Sequence, residues 1–347
     1  MFEAMMVPPL LVTSGDPAGI GPDVILTAYH LRQQHDLPPF LVLGDQQALA
    51  ARVHSLGLDV TLVTSTPETA HQDFTKGLPV WPVPVKRAVQ AGHPDPANAE
   101  AIINTIRLGV ESLHQRRGSA IVTAPIAKSV LQSAGFTHPG HTEFLAELAQ
   151  TCWGKPVHPV MMIWSPLLAV VPLTIHIPLK AVAEAMTADL LTTCVEIIDR
   201  DWLRWFGQSR PRMVLAGLNP HAGEDGRIGT EERDILIPAV QVLQARGFDL
   251  RGPLSADTLF HERARATYDI ALCPSHDQAL IPVKTLAFDD GVNVTLGLPY
   301  IRTSPDHGTA FDLAGKTANG HSLAKPDSMI AALKLAHTMR ERGGFRE

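Results

Sequence analysis

The chain has 347 residues, of which 45% are apolar and 18% charged, and its formal charge is −6 with histidine neutral. That composition excludes disorder, suits about two domains, and lacks the basic run that nucleic-acid binding requires. The three cysteines, Cys152, Cys194 and Cys273, show no CxxC spacing. This argues against a disulfide framework or a thiolate zinc site and fits a reducing compartment. The N-terminus does not read as a signal peptide, and Val160–Leu173, the most apolar stretch, is broken by Ser165, Pro166 and Pro172. It falls short of the roughly 20 residues of a membrane helix and predicts two buried strands joined at Ser165-Pro166. A cytoplasmic protein with no membrane partner is expected.

In chain order, Leu10–Thr13 is a short apolar run that stops at Gly15-Asp16-Pro17, which is turn chemistry. A helix is expected from Gly21-Pro22, where proline suits the first turn. Phe40–Leu43 is a second buried strand. Leu78–Val85, rich in proline, and the polar Ala91–Pro96 read as surface connections. From Asn98 to His114 the apolar residues Ile102, Ile106, Val110 and Leu113 keep helical spacing, with an Asx cap near the start. Ala120–Thr123, Met213–Ala216 and Ile270–Cys273 are further strands, each followed by a polar or proline-bearing loop. Strand, loop and helix in alternation predict an α/β fold with a mostly parallel central sheet. Ligands of such sheets bind beyond the carboxyl ends of the strands.

Three of the 16 histidines stand where a strand gives way to a loop: His176, His221 and His276. Converging imidazoles suit a divalent metal with an open coordination position, although each alone is also what a hydrogen-bonded strand-end residue looks like. Gly140-His141-Thr142-Glu143 opens a helix expected to run to Cys152, and a helix start offers N–H groups to phosphate or carboxylate as well as to an ordinary cap. The loop Gly15–Pro22 has the look of a phosphate loop but matches neither dinucleotide nor P-loop spacing. Lys284, Asn293 and Arg302 are candidate contacts for an anionic substrate, Arg302 most of all because a planar fork matches phosphate.

Taken together, TSGDPAGIGPDV (13–24), TAPIAKSVLQSAGFTHPGHTEFLAEL (123–148), LTIHIPL (173–179), GLNPHAGEDGRIGTEE (217–232), SADTLF (255–260) and the long run from Ser275 to Gly315 resemble the 4-hydroxythreonine-4-phosphate dehydrogenase (PdxA) family of vitamin B6 biosynthesis. The resemblance spans nearly the whole chain, with little signal in 45–95 and 185–210. It implies a two-domain fold like isocitrate and isopropylmalate dehydrogenases, with the active-site cleft between domains at a homodimer interface. The approximate division is 1–120 plus 285–347 for the nucleotide and 121–284 for substrate, metal and dimerisation.

Carried over by position, His176, His221 and His276 become ligands of one divalent metal (zinc, magnesium or cobalt), not all from one subunit. His141, Thr142, Lys284, Asn293 and Arg302 become substrate contacts, with Asp257 and Asp277 toward the substrate amine. Lys284 and His221 take the catalytic positions. His307, Gly308, Thr309, Ala310 and Asn319 become the NAD or NADP contacts, which accounts for the missing glycine fingerprint. The implied reaction is oxidation and decarboxylation of a small phosphorylated substrate. Two neighbouring readings remain: a sister enzyme for 4-phosphoerythronate or 4-phosphothreonate, and a phosphate acyltransferase of related architecture. Ser275 departs from the family, which often has tyrosine before His-Asp-Gln.

Overall fold

The computed structural model describes residues 7–138 and 140–343. The strands, in chain order, are β1 (Leu10–Thr13), β2 (Phe40–Gly44), β3 (Leu62–Thr64), β4 (Leu78–Pro82), β5 (Ala120–Thr123), β6 (Val160–Trp164), β7 (Ala169–Pro172), β8 (Met213–Ala216), β9 (Leu250–Leu254), β10 (Ile270–Cys273), β11 (Val292–Leu296) and β12 (Arg302–Pro305). A short hairpin pairs Thr317–Ala318 with His321–Ser322. The helices that matter below are α1 (Gly21–His30), α2 (Gln46–Leu56), α3 (Ala99–His114), α4 (His141–Trp153), α5 (Ala188–Asp201) and α6 (His276–Leu286). The chain forms two compact units. Of the described residues, one takes those from 7 to Pro159 and Leu298–Glu341, and the other takes Val160–Gly297 with Arg342 and Gly343.

In the first unit the strand order is β3-β4-β2-β1-β5-β12, and every pairing is parallel. β1, β2 and β5 are buried along their whole length, so their sequences are unbroken apolar runs rather than alternating ones. Leu11, Leu41, Leu43 and Ile121 pack with Ile106 and Val110 of α3 and Phe144 and Leu145 of α4. Full burial of each such side chain is worth about 1.5–3 kcal/mol. α3 therefore forms where the spacing predicts it, but its cap differs from the expectation. Asn98 holds the N-cap position without capping; its amide instead brackets Arg87, accepting that N–H at 2.9 Å and donating to that carbonyl at 3.1 Å. The Asx cap belongs to Asp95, which accepts the Ala97 N–H at 2.9 Å and starts the preceding turn.

Leu78–Val85 is not a surface connection: residues 78–82 are β4, inserted between β3 and β2 with Leu78 and Val80 fully buried. Two prolines argue against an interior strand because they cannot donate. Here the stitching donors are Leu78 N–H to Thr61 O (2.8 Å) and Val83 N–H to Gly44 O (2.9 Å), while Val80 O accepts from Ser65 (2.8 Å). Pro79 and Pro82 supply none of these bonds.

The second unit has the order β11-β6-β7-β10-β8-β9. β7, β10, β8 and β9 run parallel, and β6 pairs antiparallel with both β7 and β11. The predicted break at Ser165-Pro166 is the turn between β6 and β7, where Ser165 Oγ donates to Leu168 O and accepts from the Leu167 and Leu168 N–H groups. The core gathers Ile163, Val170, Val214, Ala271 and Cys273 with Val283 of α6. All three cysteines are free, and burial pushes the thiols of Cys194 and Cys273 up. Among the described residues, no helix is long and apolar enough to cross a membrane.

Candidate active site

In the first unit the polar residues collect at the carboxyl ends of the parallel strands. Thr13 ends β1 in register with Thr123, which ends β5. Arg302 opens β12, is buried, and donates through Nε (3.1 Å) and Nη2 (2.8 Å) to Thr123 Oγ1. Burial lowers its pKa to about 10, so it stays cationic at neutral pH. His141 opens α4 behind Gly140, whose extended backbone puts no side-chain cap on the helix start. His141 Nε2 is buried and, among the described residues, has no hydrogen-bond partner. Burial, together with the charge of Arg302, holds this ring well below the ordinary histidine range, so it is neutral. A helix start without a side-chain cap, a buried guanidinium and a partnerless imidazole nitrogen make an arrangement suited to an oxyanion with ionisable or hydroxyl oxygens. Thr142 lies on the same first turn, half-buried.

This neutral ring has a consequence for stability. Its folded-state pKa lies below the value of about 6.5 in the unfolded chain, so between the two only the unfolded chain binds the proton. The stability contribution is full above about pH 6.5 and drops by about 1.4 kcal/mol per pH unit below it. The parent is therefore expected to lose more stability than a His141→Gln variant between pH 6.5 and 5.5, measured by urea unfolding. Equal losses would show that the ring protonates freely in the folded state.

Two further atoms at this edge were not singled out from the sequence. Thr13 Oγ1 and Asp16 Oδ2 are buried with no partner among the described residues. Burial raises the Asp16 carboxyl, opposed by the Ala18 N–H that its other oxygen accepts at 3.0 Å. Such orphaned groups cost free energy unless a ligand or water completes them.

The loop after β12 holds residues that the resemblance assigns to a dinucleotide. His307 Nδ1 lies 3.1 Å from Gly308 O. Gly308 borders open space, since an added Cβ would meet nothing within 4 Å. Thr309 O accepts the Ile20 N–H at 3.0 Å, which ties this loop to the glycine-rich loop after β1, and Ala310 has φ 35°. Asn319 (φ 52°) and Gly320 (φ 78°) form the two-residue turn of the small hairpin, the turn that Asn-Gly favours.

In the second unit, the rings of His176 and His276 lie 6.1 Å apart between centroids. His276 Nδ1 is 2.8 Å from Asp277 Oδ1, the kind of carboxylate contact that fixes a ring's orientation at metal sites. Ser275 holds the N-cap position of α6, where its N–H (3.2 Å) and its Oγ (3.3 Å) both donate to Gln278 Oε1. The departure from tyrosine thus has a local role, and S-x-x-Q before an apolar run was its legible signal. Gln278 Nε2 also donates to Gly217 O at 3.0 Å, joining the His276 helix to the loop that carries His221.

That loop is strained. His221, Ala222, Gly223, Glu224 and Asp225 have φ of 53°, 51°, 78°, 44° and 56°, a left-handed turn that costs non-glycine residues roughly 1–2 kcal/mol each. Buried Glu232 holds it, accepting the Asn219 N–H at 2.7 Å and the Asn219 amide at 2.9 Å. The turn leaves the His221 imidazole exposed, near enough to Asp257 to help lower that carboxyl, whose main partner is Ser255 Oγ at 2.5 Å. Strain of this kind collects at functional sites. Lys284 Nζ sits 5.9 Å from the Phe288 ring centroid, and Asn293 is half-buried on β11 opposite Ile163. Among the described residues, no group of three or more His, Cys, Asp or Glu side chains in one chain is close enough to hold a metal. The structure brings His176 and His276 together and does not add His221 to them.

Fold and site define an α/β protein with a strand edge whose groups suit an oxyanion in one unit and a histidine-bearing, strained loop edge in the other. Residues 36–336 match the family model described as pyridoxal phosphate biosynthetic protein PdxA, and the chain belongs to that family. It is 57% identical over 336 residues to a protein of Methylorubrum extorquens named 4-hydroxythreonine-4-phosphate dehydrogenase, covering 96% of this chain and 95% of that one. It is also similar to the crystal structure of a 4-hydroxythreonine-4-phosphate dehydrogenase from Klebsiella pneumoniae. There the identity is 34% and the TM-score 0.82, covering 96% of this chain and 99% of that one. A branched-chain phosphotransacylase from Enterococcus faecalis shares the fold alone, at 13% identity and TM-score 0.51, covering 95% of this chain and 99% of that one.

Proposed function

We propose that this chain is a dehydrogenase that oxidises and decarboxylates 4-hydroxythreonine-4-phosphate to 3-amino-2-oxopropyl phosphate, using NAD or NADP and one divalent metal, on the route to pyridoxine 5′-phosphate. The observation that carries this reading is the oxyanion arrangement: Arg302 braced on Thr123 beside the neutral, partnerless His141 at the start of α4. Membership of the PdxA family supports the same reaction.

Arg302, His141 and Thr142 bind the phosphate and so orient the rest of the substrate. His176, His221 and His276 are the residues that would hold the metal. The donor chemistry fits: His276 is oriented by Asp277, and His176 stands beside it. The set is completed in a homodimer with the site shared between subunits, and apolar side chains exposed on the second unit suit such an interface: Leu179 (80%), Phe288 (75%) and Ile281 (64%). Held there, a divalent cation would supply Lewis acidity toward the substrate hydroxyl and a dinucleotide would supply a hydride acceptor. Lys284 Nζ takes the hydroxyl proton and returns one to the carbon that loses CO2. Asp257 and Asp277 face the substrate amine, and His307–Ala310 with Asn319 hold the dinucleotide. The free cysteines suit a cytoplasmic setting.

The test is absorbance of reduced nicotinamide. Purified protein is mixed with NAD or NADP, zinc, magnesium or cobalt, and 4-hydroxythreonine-4-phosphate, with 4-phosphoerythronate in parallel. Metal-dependent reduction that is faster with the amino acid supports the proposal. Faster turnover of the sugar acid moves the protein to a sister activity, and no reduction with either overturns the dehydrogenase reading.

A further inference from the structure

Helices α1 and α2 bury an ion pair that neither binding nor chemistry has used. Arg52 and Asp23 have side chains 4% and 0% exposed. The Arg52 guanidinium donates to the Asp23 carboxylate through Nη1, and also to Gly19 O at 2.9 Å through Nη1 and to Pro17 O at 3.1 Å through Nη2. The other Asp23 oxygen accepts the Gly315 N–H at 2.7 Å, 292 residues along the chain. Gly315 must be glycine there: its φ is +70°, and an added Cβ would lie 2.9 Å from Ala91 Cβ.

The pair therefore grips two loops. One is the glycine-rich turn after β1, held by two carbonyls, and the other is the segment after β12, held at its far end by Gly315. The near end of that second segment is fixed by Ile20 N–H to Thr309 O at 3.0 Å, and the first turn is braced again by Gly92 N–H to Ala18 O at 2.8 Å. Residues 309–315 are thus pinned at both ends. Taking two charges out of water is costly, and a buried pair of this kind is often no better for stability than apolar residues of the same volume. What an apolar pair cannot reproduce is the directed grip on three backbone groups from two loops.

We propose that Arg52 and Asp23 are positioning residues for the dinucleotide: they preset the 307–310 loop against the glycine-rich turn so that the cofactor meets an ordered surface. This rests on the dinucleotide reading of that loop given above. Neither residue touches the cofactor; they act by removing the ordering cost from binding.

The experiment uses the full chain and three variants: Arg52→Lys, Asp23→Asn, and the apolar pair Arg52→Met with Asp23→Leu. Hydrogen exchange is followed by mass spectrometry over peptides spanning 306–316, and NAD and NADP are titrated at equilibrium by their effect on protein fluorescence. Exchange in those peptides is expected to speed up about tenfold, and the dinucleotide Kd to rise about tenfold, with kcat at saturating cofactor and KM for the phosphorylated substrate within about twofold of the parent. The apolar pair guards against a trivial loss of folding: it leaves neither charge buried without its partner, and it is expected to unfold in one cooperative transition while showing the same weakened cofactor binding. A folded variant with parent exchange and parent Kd overturns the proposal and leaves the dinucleotide reading standing. A parent protein that binds neither NAD nor NADP overturns both.

Discussion

His221→Gly is expected to fold as well as the parent and to lose turnover by at least about a thousandfold, the scale of several kcal/mol of metal-borne transition-state stabilisation. The two effects separate because of where the side chain stands. His221 is exposed, so its removal opens no cavity. Its backbone lies at φ 53°, ψ 30°, which costs an L-residue about 1–2 kcal/mol and glycine almost nothing. Against that gain stands the extra chain entropy of glycine, about 0.5–1 kcal/mol, so Tm is expected to stay within about 3 °C. The measurements are thermal unfolding, bound metal per chain, and metal-dependent dinucleotide reduction. Near-parent turnover would remove His221 from the proposed ligand set. A large fall in Tm would mean instead that the imidazole itself holds the left-handed turn.

The second large effect is expected at Arg302. Arg302→Lys keeps the charge but cannot place two donors in one plane. In the parent both Nε and Nη2 engage Thr123 Oγ1, which fixes the plane of the guanidinium beside His141. An ammonium in the same space loses that brace and meets a phosphate as a point charge. The expected result is a KM for the phosphorylated substrate about 30- to 100-fold higher, equivalent to roughly 2–3 kcal/mol of charge-assisted hydrogen bonding. The KM for the dinucleotide should move by less than about threefold, because the 307–310 loop is held by other residues. Thr123→Val is the companion variant. It is nearly the same size, leaves the arginine in place without its brace, and is expected to reproduce part of the rise in KM. An unchanged substrate KM in Arg302→Lys would take the arginine out of the phosphate contact.

Both expectations depend on placements that were unequally legible in the sequence. Strands β1, β5, β8 and β10 stand at the residues their apolar runs predict, because parallel strands covered on both faces have no polar position to hide them. The antiparallel pair β6 and β7 also stands where predicted, because Ser165-Pro166 breaks the apolar run between them. The start of α1 at Gly21-Pro22 and the stripe of α3 were equally plain, since proline at a helix start and a 3.6-residue period are local signals. β4 was hidden because its two prolines spoke against a strand, and only the positions of its neighbours make their missing N–H groups harmless.

For the candidate site the sequence determined by itself which residue types stand after which strands, His141 at a helix start among them, and the family that their order resembles. Those are properties of adjacent residues and survive without any tertiary contact. Only the tertiary structure decided that Arg302 is braced by a threonine 179 residues away, that Glu232 holds His221 in a left-handed turn, and that Arg52 and Asp23 clasp Gly315. Each of those is a hydrogen bond made or a charge buried between distant segments. Its free energy exists only once the chain has paired its strands, so no spacing along the sequence can display it.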